Sequence, residues 1–333
     1  MGPKTIPRDQ LDYGAAISDA WNEQLLTNIV RLRYVEAPFF VSLSSVINQY
    51  SRDVGGIAGG GLNTALGGDK NTVTESGSVR FKDQPTITYV PLAGKNFAVS
   101  LLTPIPPESL FALFQAGAAP EFVFRLALKS LNGVNNSRAS LASRRDADPE
   151  FMQVLDAWKR LRDAGVIGFR RDENSQSSKI LVSHRRERAS KDLEADLTFV
   201  FQALELDASL VEFELVYGLV PQNQNQIAVL TSSIFDIMNE LAWRIDVPEI
   251  DVRDGRTGET YRESDPTDEP LIRVHFAAQS PADAFVSIRK RDTWFYISNR
   301  DIRSKRAFSL LQIMLNLTDN VDNAAGPTVS ITN

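Results

Sequence analysis

The sequence contains no cysteine and only two histidines, His184 and His275. A chain without cysteine forms no disulfide and offers neither a thiolate nucleophile nor a cysteine-ligated metal site. The HExxH helix of metallohydrolases and the GxSxG turn of serine hydrolases are also missing. His275 lies in the alternating segment LIRVHFA, a pattern typical of a core or cross-strand histidine. We therefore predict no catalytic residue, no bound metal and no cofactor.

Long apolar runs are missing as well, since no stretch reaches 18 consecutive apolar residues. The sequence therefore predicts no membrane-spanning helix. The formal net charge of −6 disfavours a nucleic-acid-binding protein, whose recognition face is normally broadly basic. A hydrophobic share of 43% and a charged share of 23% are ordinary values for a globular protein.

Helical and strand patterns alternate along the chain, and many strand patterns come in pairs joined by turns. This predicts an α+β fold of mostly antiparallel sheets and hairpins covered by helices. A chain of 333 residues exceeds one ordinary core, so two or three lobes are expected. We place an N-terminal α+β lobe with a glycine-rich hairpin at 1–140 and a middle α+β lobe at 141–250. A C-terminal hairpin with a closing helix packed on the sheet occupies 251–333.

Several local patterns add detail to this fold. Apolar residues recur at helical spacing from Asp9 to Arg33, which predicts a long amphipathic first helix. The polar stretch Asn135–Asp148 is the predicted linker. The short runs 73–81 and 86–90 are predicted as two separate strands, and Asn299 as the cap of the closing helix.

Between Gly55 and Gly68 the sequence reads GGIAGGGLNTALGG and carries no charge. Strand patterns flank it, so we predict a long hairpin with this segment at its tip. Glycine-rich segments seldom order themselves, which favours an exposed loop. The alternative is a hairpin that orders on assembly or at a membrane. In that case the assembly contact includes the glycines Gly55, Gly56, Gly59, Gly60, Gly61, Gly67 and Gly68.

The stretch Ala284–Leu317 reads as a strand, a turn, a second strand and a closing helix. Its central part, Arg289–Arg306, holds seven basic and two acidic residues. One interpretation is a solvated turn and helix start whose long side chains snorkel. The other is a docking surface for an anionic partner. We call it the basic patch, formed by Arg289, Lys290, Arg291, Trp294, Arg300, Arg303, Lys305 and Arg306.

A stretch of opposite charge, Asp246–Glu269, holds nine acidic and three basic residues. Two prolines and no apolar period predict an exposed loop. Opposite charges on this acidic stretch and on the basic patch suit head-to-tail self-association, or pairing within one chain. Calcium binding by Asp251, Asp254 and Glu259 is a weaker alternative, because their spacing does not match an EF-hand loop.

Two carboxylates, Glu212 and Glu214, share one face of a strand pattern. The alternating apolar residues beside them favour a solvated face. A glycoside hydrolase that uses a carboxylate pair stays an alternative, because the two residues of such a pair can be far apart in the chain.

Five segments carry a resemblance to a known group of proteins. They are EQLLTNIVRLRY (23–34), PTITYVPLAGKNF (85–97), LLTPIPPE (101–108), SLNGV (130–134) and DAFVSIRKRDTWFYISNRDIRSKRAF (283–308). In these segments the chain resembles an uncharacterised family of bacterial cell-envelope proteins, many of them made as lipoproteins. The resemblance implies a non-enzymatic binding or assembly component at the periplasmic side of the outer membrane. Its expected partner is a protein or a second copy of itself, and not nucleic acid.

The start of the sequence, MGPKTIPRDQ, has no apolar signal core, and the chain lacks a cysteine for lipid attachment. Under the envelope interpretation, Met1 and Gly2 replace a removed leader that carried the lipid anchor. If Met1 is instead the native start, the expected location is the cytoplasm.

Overall fold

The computed structural model describes residues 6–58, 75–115, 120–141, 143–172, 179–262, 270–318 and 328–332. It has an α+β fold of mostly antiparallel sheets, which confirms the predicted fold class. Its contacts divide the chain into two units. We call Met1–Pro38 with Ala93–Asn320 the body, and Phe39–Leu92 with Val321–Asn333 the hairpin unit. This division differs from the three predicted lobes because it follows contacts between distant segments, whereas the lobes follow chain order.

The helices of the described residues are α1 (Ile6–Arg33), α2 (Lys95–Leu102), α3 (Pro107–Gln115), α4 (Pro120–Ala127), α5 (Pro149–Asp163), α6 (Lys191–Ala203), α7 (Ile234–Trp243), α8 (Glu249–Arg253) and α9 (Ile302–Thr318). The strands are β1 (Phe40–Ala58), β2 (Glu75–Leu92), β3 (Leu128–Leu131), β4 (Val134–Asn135), β5 (Arg138–Ala139), β6 (Arg144–Arg145), β7 (Ile167–Asp172), β8 (Lys179–His184), β9 (Glu212–Tyr217), β10 (Gln226–Thr231), β11 (His275–Ala277), β12 (Ala284–Lys290), β13 (Thr293–Ser298) and β14 (Thr328–Thr332).

The hairpin unit is a three-stranded sheet in the order β14-β1-β2. β1 and β2 pair antiparallel from Phe40 opposite Leu92 to Ala58 opposite Glu75, with one bulge near Ser44. β14 runs parallel to β1 and pairs with it from Ser45 to Gln49. The predicted hairpin therefore exists, but residues 59–74 at its tip lie outside the described residues.

The larger sheet of the body has the order β4-β3-β10-β9-β8-β7. Only β9 and β10 pair parallel within it, and its other pairs are antiparallel. β10 is central and almost wholly buried, which fits its nearly continuous apolar run. Helices α5 and α6 pack against each other. The core of this part includes the fully buried rings of Phe124, Phe151 and Phe213.

The second sheet of the body has the order β11-β13-β12. The inward residues of its hairpin alternate as a half-buried sheet requires, with Phe295 and Ile297 fully buried. Helix α1 contacts both α7 and β12, and its buried stripe includes Leu26, Ile29 and Val30. The buried residues of α9 recur at helical spacing, so the predicted closing helix is confirmed.

Two predictions about local structure were wrong, one for a pair of strands and one for a linker. The runs 73–81 and 86–90 are not separate strands, because β2 is one continuous strand from Glu75 to Leu92 that pairs with β1 along its whole length. Residues 73 and 74 lie outside the described residues. The stretch Asn135–Asp148 is not a linker, since it folds back onto α7. There Ser137 Oγ donates a hydrogen bond to Glu240 at 3.0 Å, and Trp243 Nε1 donates one to the carbonyl of Ser140 at 2.7 Å.

The prediction for the closing-helix cap was also wrong. Asp301, and not Asn299, accepts a hydrogen bond from the backbone N–H of Ser304 at 3.0 Å. The side chain of Asn299 instead accepts from Lys305 at 2.8 Å. The carboxylate of an aspartate directly before the first helical turn also complements the helix dipole, which explains why Asp301 takes the capping position.

Candidate partner-binding surface

The basic patch begins on the hairpin of β12 and β13. Arg289 lies opposite Trp294 and Lys290 lies opposite Thr293. Arg291 turns the chain between the strands with a φ of 55°, in the left-handed region that tight hairpin turns require. Trp294 is half-buried, and its other neighbour in the sheet is Ala277 of β11. The hairpin thus presents its basic residues from one tight turn.

The side chain of Lys290 packs against the residues that follow helix α1 and is not directed toward solvent. Its ammonium lies 2.6 Å from the carboxylate of Glu36 and 5.0 Å from the centre of the Tyr34 ring. Only 15% of its side chain is exposed, so part of this interaction is shielded from water. Lys290 therefore has a structural role that its position in a charged turn did not reveal.

The other basic residues of the patch are exposed or half-buried, each in a different setting. Arg289 pairs with the fully exposed Asp292 at 3.3 Å, and Arg300 pairs with Asp283 at 2.8 Å while 88% exposed. Lys305 donates to the carbonyl of Asn299 at 3.2 Å and lies over the ring of Phe285. Exposed ion pairs contribute little to stability, so they can be exchanged for a partner's anions. Arg291 and Arg306 are exposed and Arg303 is half-buried.

The acidic stretch meets the patch at the end of helix α1, where Arg33 and Tyr34 are both buried. Arg33 donates to the carbonyl of Gly258 at 2.8 Å, to the hydroxyl of Thr257 at 2.9 Å and to the carbonyl of Ile245 at 3.3 Å. Burial of this guanidinium lowers its pKa. We call Arg33, Tyr34, Asp251, Arg256 and Thr257 the junction.

The Tyr34 hydroxyl donates a hydrogen bond of 2.7 Å to Asp251, and Arg256 lies 2.7 Å from the other oxygen of that carboxylate. Burial and this hydrogen bond raise the pKa of Tyr34. Burial alone would raise the pKa of Asp251, but the hydrogen bonds from Tyr34 and Arg256 outweigh it and hold that pKa below its usual value. The positive charge of Arg291 lowers it further.

These contacts correct the prediction for the acidic stretch. It is not simply an exposed loop, because it contains helix α8 and its Asp251 is buried. Asp251 and Asp254, two of the three residues considered for calcium, both pair with Arg256. Part of the negative charge of the acidic stretch is thus paired with a cation of the stretch itself. Sequence reasoning did not identify Arg33 and Tyr34. The available signal was that Arg33 continues the buried helical stripe of Leu26, Ile29 and Val30.

Two cavities in the body were compared with the active site that a glycoside hydrolase requires. A cavity of about 40 Å³ is lined by Glu240 and Arg244 among others, and a groove of about 190 Å³ is lined by Leu32, Val35 and Trp243 among others. Neither presents the two facing carboxylates that a glycoside hydrolase requires.

The carboxylates and histidines considered for catalysis each contact neighbouring side chains of the fold. Glu212 is exposed and its two oxygens accept hydrogen bonds from Arg170 at 3.0 and 2.9 Å, while Glu214 accepts one from Gln226 at 3.3 Å. His184 is buried between the rings of Phe201 and Phe213. His275 faces Tyr296 across the strands, which confirms the cross-strand prediction.

Within the described residues, no group of three or more histidine, aspartate or glutamate side chains is arranged to hold a metal ion. None of the helices in this part of the chain is long and apolar enough to cross a membrane. Of the predicted assembly glycines, Gly55 and Gly56 lie in β1 opposite Ser78 and Gly77. The remaining five, Gly59, Gly60, Gly61, Gly67 and Gly68, lie outside the described residues.

Comparison with protein-family models, with curated proteins and with solved structures finds no match to this chain.

Proposed function

We propose that this chain is a non-enzymatic component of the bacterial cell envelope, lipid-anchored in its native form, that assembles with other copies or with a protein partner through its hairpin. One observation carries the proposal. The hairpin of β1 and β2 is far longer than a globular protein normally builds, and in the described residues it has strand edges without a partner strand and exposed apolar side chains.

The length of the hairpin is the first part of this argument. β1 has 19 residues and β2 has 18, whereas strands of globular proteins usually have about 3–10. At about 3.3 Å per residue, the paired strands extend roughly 60 Å. A two-stranded ribbon is marginally stable in water unless further strands or a packing surface support it. In the described residues, β14 supports β1 over only five register positions.

Uncovered apolar side chains at the base of the hairpin are the second part. Ile87, Tyr89 and Val90 of β2 are 43%, 57% and 46% exposed. Ile87 and Tyr89 share one face of the strand while Val90 lies on the other, since side chains alternate. Both faces of the ribbon therefore carry exposed apolar surface, which commonly marks a site of association.

The basic patch is the second proposed contact. Arg289, Arg291, Arg300 and Arg306 are exposed cations around a half-buried tryptophan. This composition suits an anionic protein surface, because arginine and tryptophan are enriched at interaction hot spots. The ion pair of Lys290 with Glu36 reduces the charge that the patch can offer to that partner.

The test is the solution mass of the chain by light scattering over a range of concentrations, at low and at moderate salt. We expect an assembly larger than the monomer. If exposed cations hold it together, moderate salt dissociates it, whereas assembly through strand edges and apolar surface persists. A Tyr89→Ser variant should weaken the assembly. A Val211→Ser variant should not, because Val211 is equally exposed, at 59%, but lies in the body. A monomer under every condition, with no partner recovered from envelope extracts, would overturn the proposal.

The envelope location has its own test. The native gene product should incorporate labelled fatty acid and fractionate with the outer membrane of the source bacterium. An unlabelled product in the cytoplasmic fraction would contradict this part of the proposal while leaving the assembly test untouched.

A further inference from the structure

We propose that copies of this chain join edge to edge, the outer edge of β2 of one copy pairing antiparallel with the outer edge of β1 of the next. The contact lies in the distal half of the hairpin, at Tyr50–Ala58 of β1 and Glu75–Gln84 of β2. This inference rests on the proposed function and adds to its exposed apolar surface at the base of the hairpin, around Tyr89, an edge contact in the distal half.

The two edges differ in how much of their length is covered. β2 is the last strand of its sheet in the described residues, so its outer backbone groups have no strand partner there. On β1, the strand β14 occupies the outer edge only from Ser45 to Gln49. Beyond Gln49, β2 is the one strand of the described residues that pairs with β1. An open edge of this length is a template for another strand, since its N–H and C=O groups alternate outward at regular intervals.

Two prolines indicate which backbone groups of β2 point outward. Proline has no N–H, so within a sheet it occupies positions whose N–H would point away from the ladder. Pro85 and Pro91 of β2 are both paired with β1, and their spacing is even. Backbone N–H groups along a strand point alternately toward one neighbouring strand and toward the other, so Pro85 and Pro91 lie at positions that point the same way. Val79, Phe81 and Asp83 are an even number of residues from Pro85, so their N–H groups also point away from β1.

The prolines also separate the base of the strand from its distal half. Proline on an edge strand blocks pairing with another chain. Both prolines of β2 lie at the base, opposite the part of β1 near β14, whereas Glu75–Gln84 and Tyr50–Ala58 contain none. The proline block is thus absent from the two segments that we assign to the contact.

Strand polarity determines how the copies continue. A neighbour related by rotation about an axis along the hairpin presents its β1 parallel to the first β1, and hence antiparallel to the first β2. Such a pair joins two different edges, so the first copy retains its β1 edge and the second copy retains its β2 edge. A heterologous contact of this type continues until a ring closes or a chain extends, and it does not stop at a dimer. The expected solution mass is therefore above that of a dimer.

The absence of cysteine makes this geometry measurable by disulfide cross-linking. One full-length chain carries Val54→Cys in β1, and three others carry Val79→Cys, Phe81→Cys or Asp83→Cys in β2. After mild oxidation, a mixture of the β1 chain with one of the β2 chains should give at least ten-fold more cross-linked pairs than any single chain alone. Cross-linking of a β2 chain with itself at that yield would indicate an isologous contact and overturn the proposal.

A proline variant provides an independent measurement. Asp83→Pro removes an outward N–H and should abolish assembly while the strand content by circular dichroism stays unchanged. Asp83→Ala is the matched control and should assemble normally. Lys82→Pro removes an inward N–H and should reduce the strand content as well. An Asp83→Pro chain that assembles like the wild type would overturn the edge contact.

The two proposals fail in different ways. An assembly seen by light scattering without cross-links between β1 and β2 leaves the proposed function standing and removes this geometry. A chain that is monomeric and forms no cross-links removes both.

Discussion

Arg33 and Thr257 lie 224 positions apart and exchange hydrogen bonds: the Arg33 guanidinium donates to the Thr257 hydroxyl at 2.9 Å, and that hydroxyl donates to the Arg33 carbonyl at 2.6 Å. Both residues are buried. The pair satisfies a carbonyl at the end of α1, where the helix itself provides no partner. It also attaches the acidic stretch to the first helix, so residues far apart in the chain stabilise one junction.

Replacing Arg33 should destabilise the protein strongly. Arg33→Ala removes the buried donor to the carbonyl of Gly258 and one of the two side-chain donors to the carbonyl of Ile245, which keeps the Thr260 hydroxyl. We expect a loss of about 3 kcal/mol or more in the free energy of unfolding. Urea denaturation at neutral pH measures it. Arg33→Lys should recover only part of the loss, because an ammonium lacks the planar fork that reaches these acceptors. A cost below about 1 kcal/mol for Arg33→Ala would contradict the structural role of the junction.

Tyr34 should make stability sensitive to alkaline pH. Burial and the hydrogen bond to Asp251 raise its pKa in the folded state, so its contribution to stability is complete below the pKa of an unfolded tyrosine, about 10. The contribution is lost as the pH rises from there through the folded-state pKa. Tyr34→Phe should cost about 1–3 kcal/mol at pH 7 and progressively less above pH 10. Urea denaturation from pH 7 to 11 measures the difference. An exposed control, Tyr217→Phe, should follow the wild type at every pH.

Replacement of Val35 by glycine should stabilise the protein, although glycine substitutions usually destabilise. Its φ of 58° lies in the left-handed region, which is unfavourable for a β-branched residue, and its side chain is 68% exposed. Val35→Gly relieves about 1–2 kcal/mol of backbone strain at an entropic cost of about 0.5–1 kcal/mol, so a net gain of roughly 0.5–1 kcal/mol is expected. Thermal unfolding measures the gain. Val211→Gly, at an equally exposed position outside the helices, should lower the melting temperature.

Residues of the basic patch should separate into two groups by their effect on stability. Lys290→Met removes the ion pair with Glu36 and the ammonium above the Tyr34 ring, at a cost of about 1 kcal/mol. Arg306→Met changes an exposed cation and should alter stability by less than about 0.5 kcal/mol. Thermal unfolding distinguishes them. If the patch binds an anionic partner, Arg306→Met should weaken that binding while stability stays unchanged. Equal stability losses for both variants would contradict the conclusion that the contacts of Lys290 with Glu36 and Tyr34 stabilise the fold.

Excision of the hairpin should leave the body folded. Phe40 and Leu92 are register partners, so their Cα atoms lie about 5 Å apart, and a short Gly-Ser linker can replace residues 40–92. The body retains the three sheets of its described residues, including the small β5-β6 pair, and their helices. We expect a cooperative unfolding transition and a monomeric mass at every salt concentration. Loss of cooperativity would show that the body depends on the hairpin, and an unchanged assembly would show that the hairpin is not the contact.

Local patterns predicted the elements well where periodicity is strong. The strand Lys179–His184 has the bounds that its alternation predicts, and Asn132-Gly133 forms the predicted turn with φ values of 45° and 86°. Glycine and asparagine tolerate left-handed backbone, so this turn is readable from two residues. The candidate site was less readable. Its charged residues were identified, but whether each one faces solvent or a partner within the chain depends on segments hundreds of residues away.

The sequence by itself determined the class of fold, the positions of most helices and strands, and the absence of thiol chemistry. Each of these depends on composition or on a repeat within a few residues. Only the tertiary structure decided that Arg33 is buried, that Lys290 turns toward Glu36, and that β14 runs beside β1. The reason is that pairing between distant segments is selected by the burial and hydrogen bonding of the whole fold. A buried arginine and an exposed one have the same local sequence pattern until their partners are in place.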